Sequence, residues 1–237
     1  MTDGIFTDPG TLGMSTSPLS AGPEAAAWSS MLPNRILVVV ATVLFVINLL
    51  DFLRLWPSLI SCIQKAYGNS DLEHSLSRAH MRNHTALIMA LCFCLLADRI
   101  GLYRPEWWSI IPPMWSGCAT IGIFAAFLLL RAVLAAICRP RGIGGEAFAT
   151  IRHCPWNIFI LMMCVVMPTG GLLLIFGAGS AVSSFIILAE IAVFYFISFV
   201  RTGQILGMHC NGLSIILYLC ALEIAPVAAL VASALIF

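Results

Sequence analysis

The sequence predicts an all-α protein, a polytopic transmembrane helix bundle of about six spans, and three observations predict it. Only 12 Lys plus Arg and 11 Asp plus Glu occur in 237 residues, or 10% charged, against about 25% in soluble domains. Hydrophobic residues make up 60% of the chain and the mean hydropathy is +0.99, which leaves too few polar groups to cover a water-facing globule. Apolar runs of roughly 18 to 25 residues recur, the length that crosses about 30 Å of hydrocarbon at about 1.5 Å per residue. The runs are continuous, whereas barrel strands alternate in polarity over about ten residues, so helices satisfy the backbone in lipid. A net charge of +1 without a concentrated basic field excludes a nucleic-acid binder.

The elements follow in order. Residues 1–35 hold Ser, Thr, Pro and Gly in short runs, with Asp3, Asp8 and Glu24 and no basic residue before Arg35. This reads as a disordered tail that stays on the mature chain, because a secretory signal opens basic and then turns apolar. Span one covers about 36–55 and meets its first charge at Asp51. The stretch 56–84 is too polar to cross. Its first part sets Leu55, Leu59, Ile60 and Ile63 at helical spacing and is expected to lie along the cytoplasmic interface. The remainder, with His74, Arg78, His80, Arg82 and His84, is expected to be solvated. Span two, about 85–103, is the least apolar, and Asp98 with Arg99 reads as its interfacial ending. Span three, about 114–138, carries Arg131. The charge-free run 154–189 exceeds one crossing, and Gly177-Ala178-Gly179-Ser180 divides it into span four, about 156–176, and span five, about 181–202. Span six covers about 213–236.

Topology follows from the flanks. Trp28, Trp107, Trp108 and Trp115 fall near one set of helix ends, with Trp56 and Trp156 near the other, as an aromatic belt requires. Nine basic residues (Arg54, Lys65, Arg78, Arg82, Arg131, Arg139, Arg141, Arg152, Arg201) flank the odd-numbered loops, against Arg35, Arg99 and Arg104 on the other side. The odd-numbered loops are therefore expected in the cytoplasm, with both termini outside.

An ionisable group at lipid depth costs about 2.5 to 3.5 kcal/mol even on the gentler insertion scales, which makes it a functional candidate. Glu190 and Glu223 fall near the middle of spans five and six. Pro226 follows Glu223, and Pro168 precedes Gly170 and Gly171 at the centre of span four. Each proline frees a carbonyl four residues earlier, to which a protonated Glu223 would donate from a neighbouring helix. Two readings stand side by side. In one, the carboxylates and a broken fourth helix form a mid-membrane site for a proton or small solute. In the other, the carboxylates are interhelical hydrogen-bonding groups and the glycines permit close packing. Asp51 and Arg131 both approach the cytoplasmic side and are expected to pair. His80 and His84 have a metal-compatible spacing but no third ligand beside them, and a solvated basic face explains them better. The nine cysteines form no CxxC pair and are read as small apolar residues. Lys65, the only lysine, lies in a loop. The loop Arg139-Pro140-Arg141-Gly142-Ile143-Gly144-Gly145 lacks the Gly-Lys-Ser/Thr ending of a phosphate-binding P-loop and is read as topology-setting. No cofactor, metal or catalytic set is expected.

The run Leu217-Tyr218-Leu219-Cys220-Ala221-Leu222-Glu223-Ile224-Ala225-Pro226 resembles the C-terminal signature of a bacterial integral membrane family, domain of unknown function 4271 (DUF4271). The family's run is similar in its Leu-Tyr-Leu-Cys, its Leu-Glu and its Pro after two apolar residues. Ala221 and Ala225 replace a hydroxyl-bearing and a larger apolar residue. The likeness extends over about 36–237 and implies a multi-pass protein of the bacterial inner membrane. It brings no substrate or catalytic residue and gives weight only to Glu223 and Pro226. Together these readings lead to a non-enzymatic accessory or scaffold subunit that binds membrane partners, lipid or a second copy of itself. The alternative is a proton-coupled small-solute transporter using Glu190 and Glu223. A membrane enzyme acting on lipid would need Asp51, Arg131 and the histidines as its site.

Alkaline phosphatase, which needs an oxidising compartment to form its disulfides, reports the topology. Fused after Phe237 it should be active, and inserted near Gly142 it should be inactive; the opposite pattern reverses the orientation.

Overall fold

A computed structural model describes residues 28, 30–64, 75–138, 144–177, 179–208 and 211–236. Among them are α1 (Leu32–Gln64), α2 (Leu76–Ile100), α3 (Ser116–Ile137), α4 (Gly145–Ile175) and α5 (Ser180–Gly207). The last span is composite: α6 (Gly212–Leu219), a π-helical turn (Cys220–Ile224) and α7 (Ala225–Ile236). Two 3-10 turns, Glu106–Ile110 and Pro113–Trp115, join α2 to α3. No strand occurs among the described residues, and six helices are long and apolar enough to cross a membrane. The helices alternate in direction. Tyr103 shares a 2.7 Å hydrogen bond with Ser233, and Trp28 reaches the end of α2, so both ends of the described chain lie on one face of the bundle.

The least apolar span is the innermost. In the membrane-length window of α2, 56% of residues are buried, against 11% in α1 and in α3. Helix α2 packs against α1, α3 and α4 at once, and its polar Arg82, Thr85 and Asp98 are all buried. Its low hydropathy follows from that position, because a helix that faces protein on most sides needs fewer lipid-compatible side chains. Asn48 donates to Thr85 at 2.9 Å, tying α1 to α2. One apolar cluster joins α1, α2, α4 and Ile187 of α5. A second, toward the other face, joins α3 to α6 through Ala135, Ile151, Leu206 and Tyr218.

Helix α1 corrects the expected interfacial segment. It continues through Pro57 to Gln64, and the Leu55, Leu59 and Cys62 stripe is buried in the core, not laid on the membrane surface. Asn157 of α4 donates to the Cys62 sulfur at 3.8 Å, and the Arg201 guanidinium of α5 donates to the Ile63 carbonyl. That carbonyl belongs to the last described turn of α1, where the helix dipole favours a cation. The sequence boundary at residue 35 also falls inside the helix, because Asn34 and Trp28 are buried against the α2–α3 connection. The expected disorder of residues 1–27 lies outside the described residues.

Helix ends match their local chemistry. Helix α2 stops at Gly101, whose φ of 75° is left-handed. The Gly101 N–H bonds to the Asp98 carbonyl at 3.1 Å and the Leu102 N–H to the Ala97 carbonyl at 2.9 Å, the paired closure that a C-terminal glycine permits. The turn between α4 and α5 falls at the expected small cluster, with Gly177 at φ 64°.

Helix α4 runs unbroken through Pro168, which corrects the expected discontinuous fourth helix. The adjacent glycines have separate roles. A Cβ on Gly170 would sit 2.8 Å from the Leu96 Cδ2 of α2, whereas one on Gly171 would meet nothing within 4 Å. Gly170→Val should therefore destabilise the bundle by about 1 to 3 kcal/mol through overpacking, and Gly171→Ala should leave it within about 0.5 kcal/mol. Thermal melting in detergent measures both.

Candidate functional site

Polar chemistry at lipid depth is concentrated in two places, both of which include α3. Toward the end of the bundle opposite Tyr103 and Ser233, Arg131 of α3 forms an ion pair with Glu223 on the π-helical turn. The Glu223 side chain is 4% exposed and that of Arg131 24%. On an α-helix, side chains tilt toward the N-terminus, which carries the Arg131 guanidinium back from the end of α3 and toward Glu223. Pro226 has no amide hydrogen, and the backbone before it widens so that the Ala225 N–H reaches the Cys220 carbonyl. Tyr195 of α5 donates to the Glu223 backbone carbonyl at 2.6 Å. Three separate helices thus meet at one widened turn.

The expected Asp51–Arg131 pair is corrected by this arrangement. Helices α1 and α3 meet where Asn34 donates to the Pro113 carbonyl at 3.5 Å and lies beside Gly117, at the opposite end from Asp51. Arg131 is taken by Glu223, and Asp51 has no ion-pair partner among the described residues. The expected donation from a protonated Glu223 to a freed carbonyl is likewise replaced: the Glu223 side chain accepts from Arg131, and its own carbonyl accepts from Tyr195.

Glu190 does not join this group. It lies on the α5 stripe of Ser183, Ile187 and Ser198, of which Ile187 packs into the cluster with α4. Its Oε2 is buried and has no hydrogen-bond partner among the described residues. Pro168 is exposed, and Gly170 serves the α2–α4 contact. Glu190, Glu223, Pro168 and the glycines are therefore distributed over different helix interfaces. The arginine loop 139–143 lies outside the described residues.

The second concentration, Asp98, was not evident from sequence as anything beyond a helix ending. It is 3% exposed and accepts from Trp28 Nε1 at 2.6 Å, Ser116 Oγ at 2.9 Å and Thr120 Oγ1 at 3.2 Å. Three donors thus satisfy this carboxyl group away from water. The available signal was the Ser116 and Thr120 pair, four residues apart and so on one face of α3, together with a tryptophan in an otherwise aromatic-poor stretch before span one.

Loss of either member of the Arg131–Glu223 ion pair tests its worth. Glu223→Met leaves a guanidinium that cannot discharge, whereas Arg131→Met leaves a carboxyl that can take up a proton. Glu223→Met should therefore cost more, about 3 kcal/mol, and the double variant should lose less than the sum of the singles by at least about 1 kcal/mol. Additive losses in a denaturation series would show that the pair is uncoupled.

No protein-family model, curated protein or solved structure matches the chain.

Proposed function

We propose that this chain is an accessory or scaffold subunit of the bacterial inner membrane, which binds other membrane subunits or a second copy of itself within the bilayer. The reading is carried by the lipid-facing side of α1. Ile36, Val39, Val43, Val46, Leu50 and Leu53 are each more than half exposed and advance by three and four residues in alternation. That is the seam spacing of a left-handed helix pair, the commonest crossing among membrane helices. The buried charges agree with it: Asp98 is held by three donors and Glu223 by Arg131, so both are used in holding helices together. The likeness of residues 217–226 to DUF4271 supports the bacterial membrane assignment, and the excess of arginines beside the odd-numbered loops supports an orientation with those loops in the cytoplasm.

One observation favours proton-coupled solute transport instead: the buried Glu190 Oε2 without a partner among the described residues. Such an oxygen is what a site for a proton within the membrane would offer.

Pull-down in gentle detergent separates the readings. The wild-type chain should carry a stoichiometric partner or a second copy, and Val43→Trp/Val46→Trp should release it without changing the melting temperature. A lone monomer with no partner would overturn the scaffold reading. Proteoliposome flux abolished by Glu190→Gln in a folded protein would establish transport in its place.

A further inference from the structure

A cleft of about 220 Å³ runs between α1, α2 and α4. Val38, Phe45, Cys92, Leu96 and Met167 line it, with Trp28 and Arg99 at one end. Helices α1 and α2 are antiparallel, and the lining takes in Val38 and Phe45, seven residues apart on α1, and Cys92 and Arg99, seven apart on α2. The cleft therefore follows the helix axes for about 10 Å, seven residues at about 1.5 Å each. It runs from the helix ends inward, along the membrane normal. Val38 is 38% exposed, so the cleft opens sideways to lipid. Thr42 adds no polar demand to its wall, because its hydroxyl donates to the Val38 carbonyl at 2.8 Å. At 220 Å³ it is smaller than most sites for drug-sized ligands, about 300 to 1,000 Å³, and its elongated form suits a single chain.

The polar end differs from the wall. Arg99 stacks its guanidinium over Trp28 at 5.6 Å from the ring centroid. Its Nε is buried and has no hydrogen-bond partner among the described residues. The neighbouring Asp98 forms no ion pair with it among the described residues and accepts instead from Ser116, Thr120 and the indole of Trp28. A cation with unused donors thus stands at the interfacial mouth of an apolar channel.

We propose that this cleft binds an anionic phospholipid of the leaflet that meets the face carrying Trp28 and Ser233, with one acyl chain along α1 and α2 and the phosphate at Arg99. The apolar wall gives no selectivity of its own, because lipid tails are already in an apolar solvent. The head group decides, and Arg99 is the group that reads it. This site lies on a different face of α1 from the exposed seam and requires membrane insertion alone, so it stands whether or not the chain has a protein partner.

Native mass spectrometry of the full-length chain, with phosphatidylglycerol and phosphatidylcholine of matched acyl chains, tests it. The wild-type chain should retain the anionic lipid about fivefold better, the effect of one basic residue near a lipid surface. Arg99→Gln should remove that preference while phosphatidylcholine retention is unchanged. Thr42→Trp, which fills the cleft from its lipid-facing side and leaves Arg99 in place, should lower retention of both lipids. Equal retention of the two by the wild-type chain would overturn the proposal. So would a preference that survives Arg99→Gln, or retention of added laurate in place of phospholipid. Binding is read on the monomer peak, so loss of a protein partner does not alter the outcome.

Discussion

A carboxylate at lipid depth has no water to turn to, and each one must find its donors on another helix. Helix α3 shows how far this requirement organises the bundle. Few of its residues are buried, and apolar packing alone would hold it poorly, because helices gain no hydrophobic drive from leaving lipid for one another. Near its start Ser116 and Thr120 hold Asp98 of α2, and near its end Arg131 holds Glu223 of the last span. Polar bonds at two depths fix both the position and the rotation of a helix that could otherwise slide. A related requirement acts at the C-terminal end of α1, where Arg201 donates to the carbonyl of Ile63.

The bundle has a protein-facing interior and a lipid-facing perimeter, and hydropathy sorts the helices between them. Helix α2 can carry Arg82, Thr85 and Asp98 because its neighbours supply partners or cover. Helix α1 is more apolar and divides its length. Its N-terminal part presents branched side chains to lipid, and its C-terminal part turns Leu55, Leu59 and Cys62 into the core. Gly170 lets α2 approach α4 closely enough that Leu96 fills the space a side chain would take.

What the sequence makes legible is what one helix decides for itself. Span number and the turn at Gly177 follow from run length and small residues. The partner of Arg131 does not, because pairing depends on which helices adjoin and at which end. Asp51 and Arg131 share a side of the membrane, yet α1 and α3 meet at the other side. The burial of Asp98 is hidden for a related reason: an acidic residue beside an arginine near a helix end has the same local pattern whether it faces water or three donors. Pro168 and Pro226 have identical local chemistry, but the first sits in an unbroken α-helix and the second follows a widened turn. Only the second has a tyrosine from a neighbouring helix bonded to the backbone nearby.

The widened turn at Cys220–Ile224 amounts to one residue more than an α-helix would use over the same rise. Since a residue turns the helix by about 100°, everything after Ile224 is rotated relative to everything before it. Helix α6 packs on α5, whereas α7 packs on α3. The last span therefore acts as a coupling between two neighbours that meet it on different sides, with Glu223 at the point of exchange. Any displacement of α3 along the membrane normal would pull on Glu223 through Arg131 and be felt by α5 through Tyr195.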